Sequence, residues 1–171
     1  MVVDMLLALP LLLILAGAAL AAAYGHPAVS RRVTITQVAW LLAFLPLAAF
    51  AFFLSRLPDI ADGTALTLSV TWMPSLGMTA NLYYDNLSAL FLLLVTGIGM
   101  LVIIYSGYYF KGDNSAWRFL TYMFLFMTAM IGVLLAGDVI TLVVFWELTS
   151  VSSFLLIAYK TKDEAARRGA F

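Results

Sequence analysis

Apolar and polar positions along this chain follow two different rhythms. Five long apolar runs, at about residues 5–23, 33–54, 87–109, 117–136 and 139–159, each approach the ~20 residues needed to cross hydrocarbon. A helix is the expected form, because it satisfies its own backbone groups where water is absent. Pro10 and Pro46 fall inside the first two runs, where neighbouring helices can satisfy the carbonyls that proline frees. Between the second and third runs the rhythm shortens. Leu66, Leu68, Val70 and Trp72 alternate with Thr67, Ser69 and Thr71, and Met78, Ala80, Leu82 and Tyr84 alternate with Thr79, Asn81 and Tyr83. A period of two on both sides of MPSLG, with Pro74 and Gly77, predicts a β-hairpin over about 65–84. A bare hairpin is marginal in water, so it should lie on the helix ends or on neighbouring subunits. The fold class that follows is an all-α polytopic membrane protein with a hairpin between helices 2 and 3 and a polar tail at 160–171.

Composition agrees and excludes other classes. Of 171 residues, 64% are hydrophobic and 11% charged, which removes the chain from the soluble range. With no cysteine and one histidine there is no disulfide framework, no thiolate metal site and little for haem, so neither a cofactor nor a metal is expected. Nine basic and nine acidic residues leave no nucleic-acid footprint. Their placement carries more information than their sum. The first run resembles a secretory leader only in its small residues, since MVVD has Asp4 and no basic n-region. That run reads as a retained first helix with its N-terminus outside, because the inner loops then hold Arg31, Arg32, Lys111, Arg118, Lys160, Lys162, Arg167 and Arg168 and the outer loops hold only Arg56. Tyr24, Tyr105, Tyr108, Tyr109, Trp117 and Tyr159 then form an inner aromatic belt, and Tyr83 and Tyr84 an outer one.

Most acids have ordinary readings. Asp85 and Asp138 each stand just before an apolar run, where a carboxylate accepts from free N–H groups and opposes the positive helix end. Asp113 belongs to a turn, Asp59, Asp62, Asp163 and Glu164 read as solvated, and His26 as a loop residue beside a proline.

Glu147 is different. It lies in VVFWELTSVSSFLLIAYK, about 12 Å from the outer start of its helix and about 18 Å from the inner end at ~1.5 Å per residue. Twelve Val, Ile, Leu and Phe residues favour insertion of this helix by about 4–7 kcal/mol, and a central acid opposes it by about 2.5–3.5 kcal/mol. The helix still inserts, yet the acid cancels roughly half the drive. A protonated glutamate could serve as hydrogen-bonding glue between helices, but intramembrane ionisable groups usually mark proton or ion pathways. Ser150 falls about 60° from Glu147, and Thr149 and Ser153 stack at i, i+4, in a position either to pass protons or to let helices pack closely. The five runs contain no Lys, Arg or His at comparable depth. Burial favours the neutral form of a carboxyl and a nearby ammonium favours the ionised form, so a switchable lysine would have to come from outside these runs. The tail TKDEAARRGAF reads as an inner loop leading to a further helix, as in an N-terminal piece of a longer protein or a split subunit.

From Trp72 onward the sequence resembles the large A subunit of Mrp-type multisubunit sodium/proton antiporters and, behind it, the L-type antiporter-like subunit of respiratory complex I. The matching stretches are WMPSLG, YDNLSALF, GIGMLVIIYSGYYF, RFLTYMFLFMTAM and DVITLVVFWELTSVSSFLLI, about 100 residues in all. FWELTS followed by SSFLLI is closer to the Mrp subunit. Asn86 stands where the family usually has glycine, and asparagine tolerates the same backbone. The resemblance implies that Glu147 is the family's fifth-helix glutamate, which pairs with a lysine on a broken seventh helix to govern proton movement. It implies also an outer hairpin, inverted repeats, and a hetero-oligomeric cell-membrane complex with other antiporter subunits. Na⁺ and H⁺ would be the substrates and no enzyme activity of its own is expected. Two alternatives stand beside this. One is a proton-pumping membrane-arm subunit of an NADH-quinone oxidoreductase, and the other a scaffold that anchors an assembly without transporting.

Overall fold

The computed structural model describes residues 2–30, 33–73, 78–113 and 115–159. The turn at Pro74–Gly77, the basic residues Arg31 and Arg32, and the tail with Lys160, Lys162, Arg167 and Arg168 lie outside the described residues. Among the described residues five helices are long and apolar enough to cross a membrane: Met5–Tyr24, Ile35–Ser55, Asn86–Tyr109, Ala116–Leu135 and Val139–Ile157. Their starts are set by local chemistry. Asp4 opens a 3-10 turn, Met5–Ala8, by accepting from the Leu6 N–H at 2.9 Å, and the turn passes into α1, Leu9–Tyr24. Pro10 therefore sits in the first turn of α1, where a missing N–H costs nothing, and not inside a continuous helix as the apolar run alone implied. After the short α2, Pro27–Ser30, a capping box between Thr34 and Gln37 starts α3, Ile35–Ser55. Pro46 does lie within α3. The short α4, Leu57–Ile60, leads to the sheet, and a second capping box between Asp85 and Ser88 starts α5, Asn86–Tyr109. A turn in which Asp113 accepts from the N–H and hydroxyl of Ser115 leads to α6, Ala116–Leu135, and Asp138 caps α7, Val139–Ile157.

The helices do not share burial equally. α3 packs mainly on α5 and α1 on α6; α1·α3 and α5·α6 contacts close these four into a cluster, and α7 is added outside through α6. Lipid is as apolar as leucine, so such packing depends on close fit and small residues. Gly107 shows this on α5: a Cβ there would come within 2.5 Å of the Ala39 Cβ, and the Gly107 carbonyl accepts from the Thr36 hydroxyl at 2.7 Å. Gly132 on α6 plays the same part for α7, since any Cβ would overlap the Phe145 ring. The cluster's core is the stripe Leu120, Phe124, Met127, Ile131 and Leu135 of α6, all at most 1% exposed, with Ile14, Leu92 and Ile103.

Between α4 and α5 the expected hairpin is present as β2, Leu66–Met73, and β3, Met78–Tyr84, antiparallel from Leu66↔Tyr84 to Thr71↔Thr79 with an irregularity before Met73. Leu66, Leu68, Leu82 and Tyr84 are buried on the helix ends and Ser69 and Tyr83 are exposed, which is the alternation in physical form, whereas Val70 shares the face of Leu66 and Leu68 and is nevertheless exposed. A third strand was not legible in the sequence: β1, Val2–Val3, runs parallel to β2, pairing Val2↔Leu66 and Val3↔Thr67. Polar ties fasten the sheet to the helices on the side of α3. Tyr84 donates to the Phe53 carbonyl at 2.7 Å and stacks on that ring, and burial, then the charge of Asp59, pushes its phenol up to about 12. Arg56 bridges Asp4 at 3.3 Å and Asp59 at 3.4 Å, so Asp59 is an ion-pair partner and not merely solvated.

Candidate functional site

α7 begins at a junction that the sequence disclosed only in part. One oxygen of Asp138 accepts from the Thr141 N–H at 2.8 Å, the N-cap expected. The other accepts from the Thr141 hydroxyl at 2.8 Å and from both the backbone N–H and the side-chain amide of Asn81, each at 3.0 Å. Asn81 in turn gives its carbonyl oxygen to the Gly137 N–H at 2.7 Å, and its amide oxygen accepts from the Ser69 hydroxyl at 2.6 Å. The hairpin and α7 are thus tied through one carboxylate and one amide. Hydrogen bonds from the Thr141 backbone, then from the Thr141 hydroxyl and Asn81, outweigh burial and hold the Asp138 carboxyl at about 2. Asn81 was legible only as one polar position in an alternating strand.

Glu147 lies eight residues into α7, about 12 Å from the capped end. The face of α7 that meets α6 carries Thr141, Phe145 and Ser152. Glu147 is about 160° from Phe145 around the helix and falls on the opposite side, where its side chain is exposed among exposed Ile140, Val143, Val144 and Val151. Among the described residues its carboxyl meets no hydrogen-bond donor and no cation. The face that carries Glu147 is therefore turned away from this chain's own bundle, because the fit between Gly132 and Phe145 decides which side of α7 faces α6. Nor do the nearby hydroxyls reach the acid. Thr149 and Ser150 donate to the Trp146 carbonyl, at 2.6 and 3.5 Å, Ser152 to that of Leu148 at 2.7 Å and Ser153 to that of Thr149 at 2.6 Å. Such back-bonding satisfies the hydroxyls within the helix.

The arrangement is one carboxyl at mid-span, on an apolar and uncovered face, on a helix whose start is locked to the hairpin. Among the described residues no three His, Asp or Glu side chains gather as a metal site would require.

Comparison with known proteins gives the same picture as the motifs. The family described as NADH-ubiquinone oxidoreductase (complex I), chain 5 N-terminus, matches residues 71–120. The A1 subunit of the Na⁺/H⁺ antiporter of Staphylococcus haemolyticus is 42% identical over 134 residues, covering 78% of this chain and 17% of the relative. The corresponding A-type Na⁺/H⁺ antiporter protein of Alkalihalophilus pseudofirmus is 44% identical over 132 residues, covering 77% of this chain and 16% of the relative. Among solved structures, the Mrp complex from Dietzia sp. matches with a TM-score of 0.69 and 32% identity over 88% of this chain and 16% of that one. The resemblance read from the motifs therefore holds, and with five apolar helices the chain is a multi-pass membrane protein. It spans about one sixth of the length of these relatives.

Proposed function

We propose that this chain forms the N-terminal part of the large A-type protein of a multisubunit Na⁺/H⁺ antiporter of the cell membrane, with Glu147 as an intramembrane acid that binds and releases protons. The antiporter relatives support the class. The observation that carries the role of Glu147 is an ionisable side chain at mid-span on the one face of α7 that nothing in the described chain covers. A charge left facing lipid at that depth costs about 2.5–3.5 kcal/mol on the insertion scale, so the face needs a protein or water-filled neighbour. An ammonium brought beside a carboxyl favours its ionised form, and withdrawal of that ammonium into a dry site favours the protonated one. A lysine from the rest of the assembly would make such a pair a proton gate. On this reading the hairpin side faces outward and the loops carrying Lys111 and Arg118 face the cytoplasm.

The match of residues 71–120 to the complex I family favours a second reading, a membrane-arm subunit in which redox chemistry elsewhere drives the same acid. Partner subunits that bind flavin or iron–sulfur clusters would decide for it. The role of Glu147 is tested with Glu147→Gln and Glu147→Ala in the assembled complex reconstituted in vesicles. Na⁺-dependent proton exchange should fall at least a hundredfold in both while the complex still assembles. Exchange at the normal rate in both variants would make the acid structural.

A further inference from the structure

On the side of the bundle away from the hairpin, a recess of about 550 Å³ opens between the α1–α3 connection, the start of α3 and the turn after α5. Its walls mix apolar surface with the polar groups of Tyr24, Thr34, Gln37, Tyr108, Lys111 and Asp113. The turn is held by Gly112 at φ +87°, a conformation suited to glycine, and it leaves the Lys111 ammonium exposed with no ion-pair partner among the described residues. Asp113 is the one acid among the described residues of the wall, and its carboxylate accepts from the Ser115 N–H and hydroxyl. At the lower edge of the recess the Trp40 indole N–H donates to the Tyr108 hydroxyl at 3.0 Å, and that phenol donates its own proton to no described residue.

Below this aromatic pair the same seam between α3 and α5 continues as an apolar furrow. A small pocket of about 70 Å³ lies against Trp40, Phe44, Leu47, Met100 and Ile104, and a wider one of about 330 Å³ follows against Leu47, Phe50, Gly97 and Leu101. Leu47 and Met100 line both, so the furrow is continuous. On α3 the furrow is lined from Trp40 to Phe50, about 15 Å of helix, and on α5 it reaches from Tyr108 to Leu93, about 22 Å, so both walls end short of a ~30 Å hydrocarbon core.

We propose that this seam is a binding site for an anionic phospholipid, its phosphate at Lys111 and the Tyr108 hydroxyl and one acyl chain lying along the furrow to Gly97. Three features select this occupant over a protein helix. A cation with no ion-pair partner among the described residues stands at the polar end, a Trp–Tyr pair stands at interface depth where such rings collect, and the furrow ends short of the full span that a crossing helix would need. The charge favours phosphatidylglycerol over phosphatidylethanolamine, by about fivefold for a single surface lysine.

The test extracts the membrane-assembled protein in mild detergent, exposes it to equal phosphatidylglycerol and phosphatidylethanolamine, and counts retained lipid by native mass spectrometry. Phosphatidylglycerol should be retained preferentially. Lys111→Gln, an exposed turn position with little bearing on folding, should erase the preference. Leu101→Trp, which fills the furrow from a residue 59% exposed, should lower retention of both lipids with Lys111 intact. A photo-crosslinker at position 101 should capture lipid. Equal retention of the two lipids by the unmodified protein, an unchanged preference in Lys111→Gln, or capture of a polypeptide at position 101 would each overturn the assignment.

Discussion

The adjacent helices α6 and α7 are of nearly equal length and similar composition, and they have opposite fates. α6 buries nine residues and touches α1, α5 and α7, whereas α7 buries only Thr141 and Ser152 and packs on α6 and the end of β3. Hydrophobicity does not sort them, because lipid rewards neither. Fit does. α6 presents a stripe of close-packing side chains to two neighbours and a glycine to the third, while α7 offers one ring to that glycine and leaves its acid on the far side. The helix least used in holding this chain together is the one that carries its intramembrane carboxyl, as expected if α7 serves a partner as much as its own bundle.

The sharpest test of that contrast removes one aromatic ring from each helix. Phe124 is fully buried, and Phe124→Ala leaves a cavity that lipid cannot fill, at a cost of about 3 kcal/mol; this is the lower part of the range for core aromatics, since no water-to-oil transfer is lost. Trp146 is 61% exposed, and Trp146→Ala should leave the chain's own thermal unfolding in detergent within about 0.5 kcal/mol of the parent. If the two variants lose equal stability, α7 is as integral to the bundle as α6 and the contrast is lost.

A smaller effect, near 2 kcal/mol and local, is expected where α7 is tied to the sheet. Asp138→Ala removes an N-cap and the acceptor for two Asn81 donors, so the amides of Asn81 and Thr141 should exchange with solvent much faster while those of α6 do not. The pH dependence has a definite sign. The folded value of Asp138, about 2, lies below its ordinary 3.8, so the tie is at full strength above about pH 4 and is lost as pH falls through 2. Relative to the intrinsic rate at each pH, protection of these amides should fall on acidification across that window in the parent and stay flat in the variant.

What the sequence disclosed and what it hid divide by range. The helices Ile35–Ser55 and Asn86–Tyr109 fall within two residues of the apolar runs, because insertion length is a local quantity, and β2 and β3 fall where the side chains alternate. Asp85 and Asp138 were readable as caps for the same reason. The Asp138–Asn81 contact joins residues 57 apart, and Arg56 reaches back across α1 and α3 in sequence to Asp4; no periodicity encodes such meetings. β1 is two residues long and has no alternation to read. The direction of Glu147 was hidden because the polar residues of α7, Thr141, Glu147, Thr149, Ser150, Ser152 and Ser153, are spread around the helix, and a helix with no single apolar stripe does not announce which side packs inward.

The smallest expected effect is at Arg56, and it separates the fastening of the sheet from that of the bundle. The Asp59 side chain is 46% exposed and that of Asp4 11%, so the two halves of the same bridge differ in screening. Asp59→Asn should cost less than ~1 kcal/mol, and that cost should vanish in high salt. A second readout lies in Tyr84. Burial is the main reason its phenol stands near 12 and the charge of Asp59 the lesser one, so Asp59→Asn should let phenolate absorbance rise at somewhat lower pH without restoring the ordinary value of 10. Because the folded value is the raised one, Tyr84 contributes its stability below about pH 10 and loses it as pH climbs toward 12. A return of Tyr84 to ordinary titration in Asp59→Asn would mean that an exposed charge, and not packing on Phe53, holds the sheet to α3. The division between a bundle secured by fit and a rim secured by polar ties would then have to be redrawn.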